Sequence, residues 1–436
     1  MRFSIAIKNG LILTMDKENR VIQNGFLGIS ADKISYIGEE PEDFFSDEII
    51  DANEGIVLPG LVNAHTHIPM SLLRGIAEDI SLKQWLEEYI FPIEKKLNSE
   101  LVYIGALLSC AEMIMSGTTT FCDMYFFEDE VAKAAKEAGM RCLISEGLFD
   151  FPSPNYGSNI EDGYRYTRWL IEKWKDDPLV NVAVGPHTPY TCSEEILRKS
   201  KEIAEEYNVP IIIHLAETKA EVQQIKERYG KTPTQYLNDL KLLSPHLIAA
   251  HCVHLSKKDM ELIKENNVKV VHNPECNMKL ASGISPVPEM LSMGICVSLG
   301  TDGSASNNNL DLFQEMDTAA KLHKISKMDP SVMDAITVVK MATIYGAEAL
   351  GMEKSIGSLE VGKKADVIIL DTNKPHLTPL YNPFYSIVYS AVGADVAYSI
   401  INGKVVMRKR ELVTLDVERI IKDAKQWAAQ IRAWLS

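Results

Sequence analysis

Hydrophobic and polar positions change rhythm twice along the chain, near residues 56 and 356. Residues 3–14 and 21–38 hold short, partly alternating apolar stretches around the turn-forming Lys17-Glu18-Asn19 and Asn24-Gly25, a pattern that predicts antiparallel strands. The texture returns in residues 365–370 and 399–407, the second read as a hairpin about Asn402-Gly403. Neither end alone has enough strands for a stable core, so both ends are expected to share one small β-sandwich domain, residues 1–56 its first part and 356–436 its second. From Asp416 on, Ile420, Ala424, Trp427, Ile431 and Trp434 recur at three- and four-residue spacing among Lys and Arg. That spacing predicts a closing helix that docks on the protein, an oligomer contact being the other use of such a face.

Between these ends, over residues 57–355, short apolar runs alternate with helical patterns, as in βα units of a parallel sheet. The runs end near His65, Asp123, Glu146, His187, His214, His251, His272 and Asp302. These eight ends are about 34 residues apart on average, in line with (β/α)₈ barrels of ~250 residues or more. The expected fold class is therefore α/β, a (β/α)₈ TIM barrel. In that fold the active site forms at the C-terminal ends of the strands, where most of the histidines fall.

Composition narrows the function classes. Hydrophobic residues make up 46% and charged residues 24% of the 436, which excludes disorder, collagen and coiled coil. A formal charge of −15 argues against nucleic acid or anionic membranes as partners. No apolar run approaches the ~18–20 residues of a membrane span, and the start lacks the apolar core of a signal peptide, so a cytoplasmic protein is expected. The 7 cysteines contain no Cys-x-x-Cys pair and read as reduced core residues. Gly357-Ser358-Leu359-Glu360-Val361-Gly362-Lys363-Lys364 nearly matches a phosphate loop, but it lacks the metal-binding hydroxyl and precedes a strand, so it is discarded.

The chemistry lies at the run ends. In a strand, residues i and i+2 point to one side, so His65 and His67 can face one point, as convergent metal ligands must. His214 and Asp302 end two further runs at the same face. Singly, His214 passes as a satisfied core histidine and Asp302 as a turn cap before Gly303; three histidines and a carboxylate together form a set suited to zinc, with iron or manganese as alternatives. Glu217, three residues after His214, is placed to act as general base and acid beside a metal-activated water, the other reading being a helix-start capping box in Glu217-Thr218-Lys219-Ala220-Glu221. His251 continues its strand and is expected to orient the nucleophile or the developing oxyanion. His254 and His272 are expected in supporting roles. His187, between Pro186 and Pro189, reads as a substrate contact.

Pro59-Gly60-Leu61-Val62-Asn63-Ala64-His65-Thr66-His67, His214-Leu215-Ala216-Glu217-Thr218, Ala250-His251-Cys252 and Gly300-Thr301-Asp302-Gly303 together resemble the amidohydrolase superfamily, and the likeness covers nearly the whole chain. Met70-Ser71-Leu72-Leu73-Arg74-Gly75, Phe91-Pro92-Ile93-Glu94 and Asn277-Met278-Lys279-Leu280-Ala281-Ser282-Gly283 resemble its 5′-methylthioadenosine/S-adenosylhomocysteine deaminases, a family that includes archaeal 5′-deoxyadenosine deaminases. The resemblance implies hydrolytic deamination at C6 of an adenosine-type nucleoside, with one divalent metal per chain, Zn²⁺ before Fe²⁺ or Mn²⁺, on His65, His67, His214 and Asp302. It makes Glu217, His251 and Asp302 catalytic, has Glu94 bind the ribose hydroxyls, and has His187, Glu217 and Asp302 contact the substrate. Relatives often form homo-oligomers. Where relatives that hydrolyse S-adenosylhomocysteine usually carry an arginine, this chain has Glu146, expected to repel the homocysteine carboxylate unless Arg165 or Arg168 compensates. The rival readings are a deaminase of guanine or another heterocycle, an s-triazine chlorohydrolase, and a non-enzymatic barrel scaffold.

Overall fold

The computed structural model describes residues 1–80 and 84–435. The chain opens with β1 (Arg2–Leu13), β2 (Val21–Ser30), β3 (Lys33–Gly38), β4 (Phe45–Asp51) and β5 (Ile56–Pro59). Its middle carries β6 (Leu61–Thr66), β7 (Thr118–Tyr125), β8 (Arg141–Leu148), β9 (Val180–Val182), β10 (Gly185–Pro186), β11 (Ile211–Leu215), β12 (Leu247–His251), β13 (Lys269–His272) and β14 (Val297–Leu299), with helices in most of the connections. It closes with β15 (Val367–Leu370), β16 (Val396–Ile401), β17 (Lys404–Arg408), β18 (Glu411–Leu412) and the helix Val417–Leu435.

The two chain ends meet in one hydrogen-bonded sheet of nine strands, in the order β18-β17-β16-β15-β5-β1-β2-β3, with β4 also on β1. The seam between the ends is the antiparallel pair β5–β15, where Val57 faces Ile369. Lys17-Glu18-Asn19 forms the expected turn, because Asp16 Oδ1 accepts the N–H groups of Glu18 and Arg20 at 3.1 and 3.2 Å. Asn24-Gly25 does not turn the chain. It lies inside β2, where Gly25 faces Gly10 and the register slips on either side, so the pair marks a bulge. The reversal comes later, where Ala31 has a left-handed φ of 55° between β2 and β3. Asn402 and Gly403, at φ 49° and 74°, make the expected two-residue hairpin between β16 and β17. A Cβ on Gly403 would stand 2.0 Å from the Ala31 carbonyl oxygen, so that turn needs glycine for space as well.

The middle strands pair in parallel, in two sheets: β10-β8-β7-β6 with β9 also on β8, and β11-β12-β13-β14. Val184 bridges to Ile211, and the His214 N–H donates to the His187 carbonyl at 2.9 Å, joining the two sheets along one seam. Along the other, the Asp302 N–H donates to the His65 carbonyl at 3.0 Å. Side chains alternate as the pleat requires. Val62, Cys122, Leu143, Ile212, Ile248 and Val271 form one cluster. Leu61, Phe121, Ile144, Ile213, Ala249 and Val270 belong to the larger core shared with the helices. This parity decides which strand-end residues reach the site.

The helix Val417–Leu435 docks with Ile420, Ala424 and Ile431 buried, and it packs on the helix Ser99–Met115. Among the described residues no single helix is long and apolar enough to cross a membrane.

One buried ion pair ties the terminal sheet to the middle strands. Arg141, at the start of β8, donates Nε and Nη2 to the two carboxylate oxygens of Asp366 at 3.0 and 3.1 Å, and the same carboxylate accepts the Asn402 N–H at 2.7 Å. Their side chains are 6% and 2% exposed, so removing one partner strands a buried charge. Arg141→Met is expected to lower stability by about 3–5 kcal/mol, read from the urea midpoint and slope.

Candidate metal centre

Three acceptor oxygens aim three imidazoles. His67 follows β6, and its Nδ1 meets the Met124 carbonyl oxygen of β7. His214 on β11 places Nδ1 2.9 Å from the His187 carbonyl oxygen, and His251 at the end of β12 places Nδ1 2.9 Å from Asn277 Oδ1. An oxygen that can only accept requires hydrogen on Nδ1, so in the neutral rings each Nε2 keeps its lone pair. His214 Nε2 lies 3.3 Å from His67 Nε2, while Asp302 Oδ1 lies 3.2 Å from His67 Nε2 and 3.5 Å from His65 Nε2. Neither ring nitrogen of His65 has a hydrogen-bond partner, although the residue is 1% exposed. Lone pairs and a carboxylate facing one another in a buried space repel unless a cation lies between them.

The donor atoms of His65, His67 and Asp302, and those of His65, His214 and His251, each lie within 4.8 Å of one another. The structure thus brings together the four ligands expected from the sequence and sets His251 beside them. Burial holds His65 down at about 4 and His214 well below its ordinary range, which keeps both neutral as ligation requires. Burial opposes charge on His67 too, but Asp302 outweighs it and pushes His67 up to about 9, so without a metal this ring holds a proton toward Asp302, which a metal would displace. Burial alone would raise Asp302, yet His65 and His67 hold it well below the usual carboxylate range.

Asp302 lies three residues beyond β14, whose last residue is Leu299, at a left-handed φ of 62°. The turn reading of Asp302 holds, and the same carboxylate also faces the imidazoles. Its Oδ1 accepts the Gly303 N–H at 2.8 Å while facing the imidazoles, and its Oδ2 is held by the Ser306 hydroxyl at 3.1 Å and the Cys276 thiol at 2.7 Å.

Glu217 is free for chemistry because its neighbours do the capping. Thr218 caps the helix Lys219–Tyr229 by accepting the Glu221 N–H, and the buried Glu221 carboxylate accepts the N–H groups of Ala216 and Glu217 at 2.9 and 2.8 Å. The Glu217 carboxylate turns inward instead, with the Ser282 hydroxyl 3.3 Å from Oε1 and His251 Nε2 3.9 Å from Oε2.

A cavity with about 830 Å³ of empty space, its open mouth included, runs from this cluster to an apolar wall of Trp85, Leu86, Phe91, Phe126, Phe149 and Phe151. His67, His187, His214, Glu217, His251 and Asp302 line its polar end, and Glu94 lines it too. Burial pushes Glu94 up to about 7, against the pull of the Tyr125 hydroxyl and the charge of His67. Among the described residues the lining contains no lysine or arginine. His254 and His272 stand outside the lining. His254 Nε2 bonds the Ser282 carbonyl at 2.7 Å, and His272 pairs with His323 at 3.0 Å.

Glu146 does not reach the cavity, contrary to expectation. In β8, Leu143 belongs to the inner cluster and Gly147 lines the cavity, so the pleat turns Glu146 to the helix side. There its carboxylate accepts the Glu128 N–H at 3.1 Å and the Asn155 amide at 3.0 Å. Arg165 and Arg168 pair with Asp162 and Glu206 instead of facing the cavity. Sequence reasoning gave no role to the aromatic wall, Asn277 or Ser282. The Phe149-Asp150-Phe151 alternation next to a strand end was the available signal for the first; nothing local marked the other two.

The chain is 51% identical over 434 residues to the 5-methylthioadenosine/S-adenosylhomocysteine deaminase of Syntrophobacter fumaroxidans, covering 99% of each. It is 47% identical over 432 residues to the 5′-deoxyadenosine deaminase of Methanosarcina acetivorans, covering 98% of each. The crystal structure of an adenosine deaminase from Xanthomonas campestris with bound zinc superposes with a TM-score of 0.97 at 35% identity, covering 99% of both chains. The model of the amidohydrolase family matches residues 56–406. With that match and full-length relatives of this similarity, the chain belongs to the amidohydrolase family.

Proposed function

We propose that the chain is a zinc-dependent deaminase that hydrolyses the C6 amino group of adenosine derivatives, releasing ammonia and the matching inosine. The observation that carries this reading is the convergence of three Nε2 lone pairs and Asp302 on one buried space with the free carboxylate of Glu217 beside it. Neutral imidazoles with one carboxylate suit zinc, Fe²⁺ and Mn²⁺ being the alternatives, and the Xanthomonas campestris relative holds zinc. The same reading takes the two parallel sheets as one (β/α)₈ barrel over residues 57–355. It takes residues 1–56 and 356–436 as a separate β-sandwich domain. The seams at Val184–Ile211 and His65–Asp302 support closure.

When bound, zinc supplies Lewis acidity that makes water nucleophilic at neutral pH. Glu217, with Asp302 assisting, takes a proton from the attacking water and delivers it to purine N1, which makes C6 electrophilic. His251, anchored through Nδ1 on Asn277, directs Nε2 at the water and holds it in line with C6. The proton of the new hydroxyl passes to the amino group, ammonia leaves, and N1–H stays in the inosine. Glu94 receives the ribose hydroxyls, and His187, its Nδ1 held by the Thr191 hydroxyl at 2.9 Å, flanks the base.

The wall selects the 5′ group. Phe149 and Phe151 lie tilted against each other at 4.5 Å between centroids, and among the described residues the lining offers acids but no lysine or arginine. A 5′-deoxy or methylthio group buries apolar surface there, whereas a homocysteine carboxylate would be desolvated with no lysine or arginine to pair it among the described residues of the lining.

Three outcomes test this. Glu217→Gln should lower kcat about 10²–10⁴-fold while the zinc content, read by atomic emission, stays unchanged. His67→Ala and His214→Ala should each lose most of the metal, and if both retained it the site would lie elsewhere. Side-by-side ammonia release should give 5′-deoxyadenosine and 5′-methylthioadenosine a kcat/KM at least about tenfold above S-adenosylhomocysteine, from about 1.4 kcal/mol or more of unpaired desolvation. Equal values would overturn the apolar-wall argument.

A further inference from the structure

We infer that a chain of buried carboxyls, Glu146 to Glu128 to Asp123, holds His67 in place, and that Asp123 and Glu128 are positioning residues for the metal centre. The inference rests on the metal-site reading above. All three carboxyl residues are 0% exposed, and none lines the cavity.

The clamp begins at β7. Asp123 Oδ1 accepts the Thr66 hydroxyl at 2.6 Å and the Ile68 N–H at 2.7 Å, so it grips the chain on both sides of His67. The next residue, Met124, supplies the carbonyl oxygen that fixes the His67 tautomer. Two consecutive residues of β7 thus set both the backbone and the ring of one proposed ligand.

Asp123 Oδ2 and both Glu128 oxygens are buried with no side-chain amide or hydroxyl partner. The Glu128 carboxyl lies within hydrogen-bond reach of Asp123. Two carboxyls in contact in a dry layer share a proton, because both cannot ionise. Burial and the Asp123 charge push Glu128 well above the carboxylate range, which puts the proton on Glu128 and makes it the donor. Asp123 then keeps its acceptor capacity for Thr66 and Ile68.

Glu128 arrives there because the chain turns sharply after β7. Phe127 takes a left-handed φ of 56°, and the helix Glu128–Ala138 starts at once. The Glu146 carboxylate accepts the first N–H of that helix, and the Asn155 amide steadies it from the other side. Glu146, which has no route to the substrate, therefore decides where Glu128 sits.

The test is the zinc dissociation constant, measured by chelator competition on the full chain, with the unfolding midpoint of the metal-free form recorded alongside. Glu128→Gln keeps a donor toward Asp123 and should bind zinc within about threefold of the parent, whereas Glu128→Ala should bind about ten- to a hundredfold more weakly. Thr66→Val removes the hydroxyl at nearly constant volume; it should lower the metal-free midpoint by the buried hydrogen bond it loses and, in the chain still folded without metal, weaken zinc by about tenfold. Equal zinc affinity in Glu128→Gln and Glu128→Ala would overturn the donor role. Parent-like affinity in Thr66→Val would overturn the clamp, and since that variant alters no packing volume, misfolding would not explain it. A parent chain that binds no zinc would sink the metal-site reading and this inference with it, while a zinc-binding parent with insensitive variants would sink this inference alone.

Discussion

Convergence of imidazole nitrogens and one carboxylate on a dry space, which only a positive charge reconciles, is the constraint on which the rest of the structure depends. Each Nδ1–H of His67, His214 and His251 is spent on an oxygen, which turns each Nε2 toward the others and toward Asp302. Such an arrangement is unstable by itself and is paid for elsewhere in the fold. The parallel strands fix the spacing, the left-handed residue at Asp302 brings its carboxylate in from beyond β14, and Ser306, Cys276 and Gly303 hold that carboxylate in one orientation. A divalent cation turns the same convergence into the strongest local attraction.

The division of labour around β11 follows the same logic. A carboxylate three residues after a strand histidine would ordinarily be drawn into capping the next helix. Here Thr218 and Glu221 satisfy that helix start and the backbone before it, so Glu217 has no competing partner there and its charge stays in the cavity. Around β7 and β8 the acids have the reverse role. Asp123 and Glu146 point away from the cavity and spend their acceptors on backbone N–H groups.

Much of this was legible in the sequence, and the reasons are physical. His65, His67 and His214 stood at the ends of apolar runs, where a parallel sheet delivers its last residues to one face, and run ends are local features. The sharing of a sheet by the two chain ends was legible because each end carried strands that lacked partners. Glu146 was misplaced because a run end does not fix parity: one step along the pleat separates the cavity side at Gly147 from the helix side at Glu146. Asn24-Gly25 looked like a hairpin turn because the residues that favour such turns also make bulges, and only the pairing of Gly10 with Gly25 tells them apart. The aromatic wall draws on Trp85, Phe91, Phe126 and Phe149, which long-range packing alone brings together.

The charge of the cavity and the chemistry of its wall form one argument. Glu217 and Asp302 supply negative charge at the polar end, the imidazoles there are held neutral or share their charge with Asp302, and the described lining supplies no lysine or arginine. A dication would balance the two carboxylates, and among the described residues no lysine or arginine is left over for a second anion on the substrate. A neutral nucleoside enters without upsetting that balance, and its apolar 5′ end covers the aromatic rings and excludes water. Excluding water would lower the local dielectric and, on the proposed mechanism, strengthen the hydrogen bond between Glu217 and a ring nitrogen as the proton moves. In the proposed reaction the wall that would favour an uncharged 5′ group would therefore also sharpen the proton transfer.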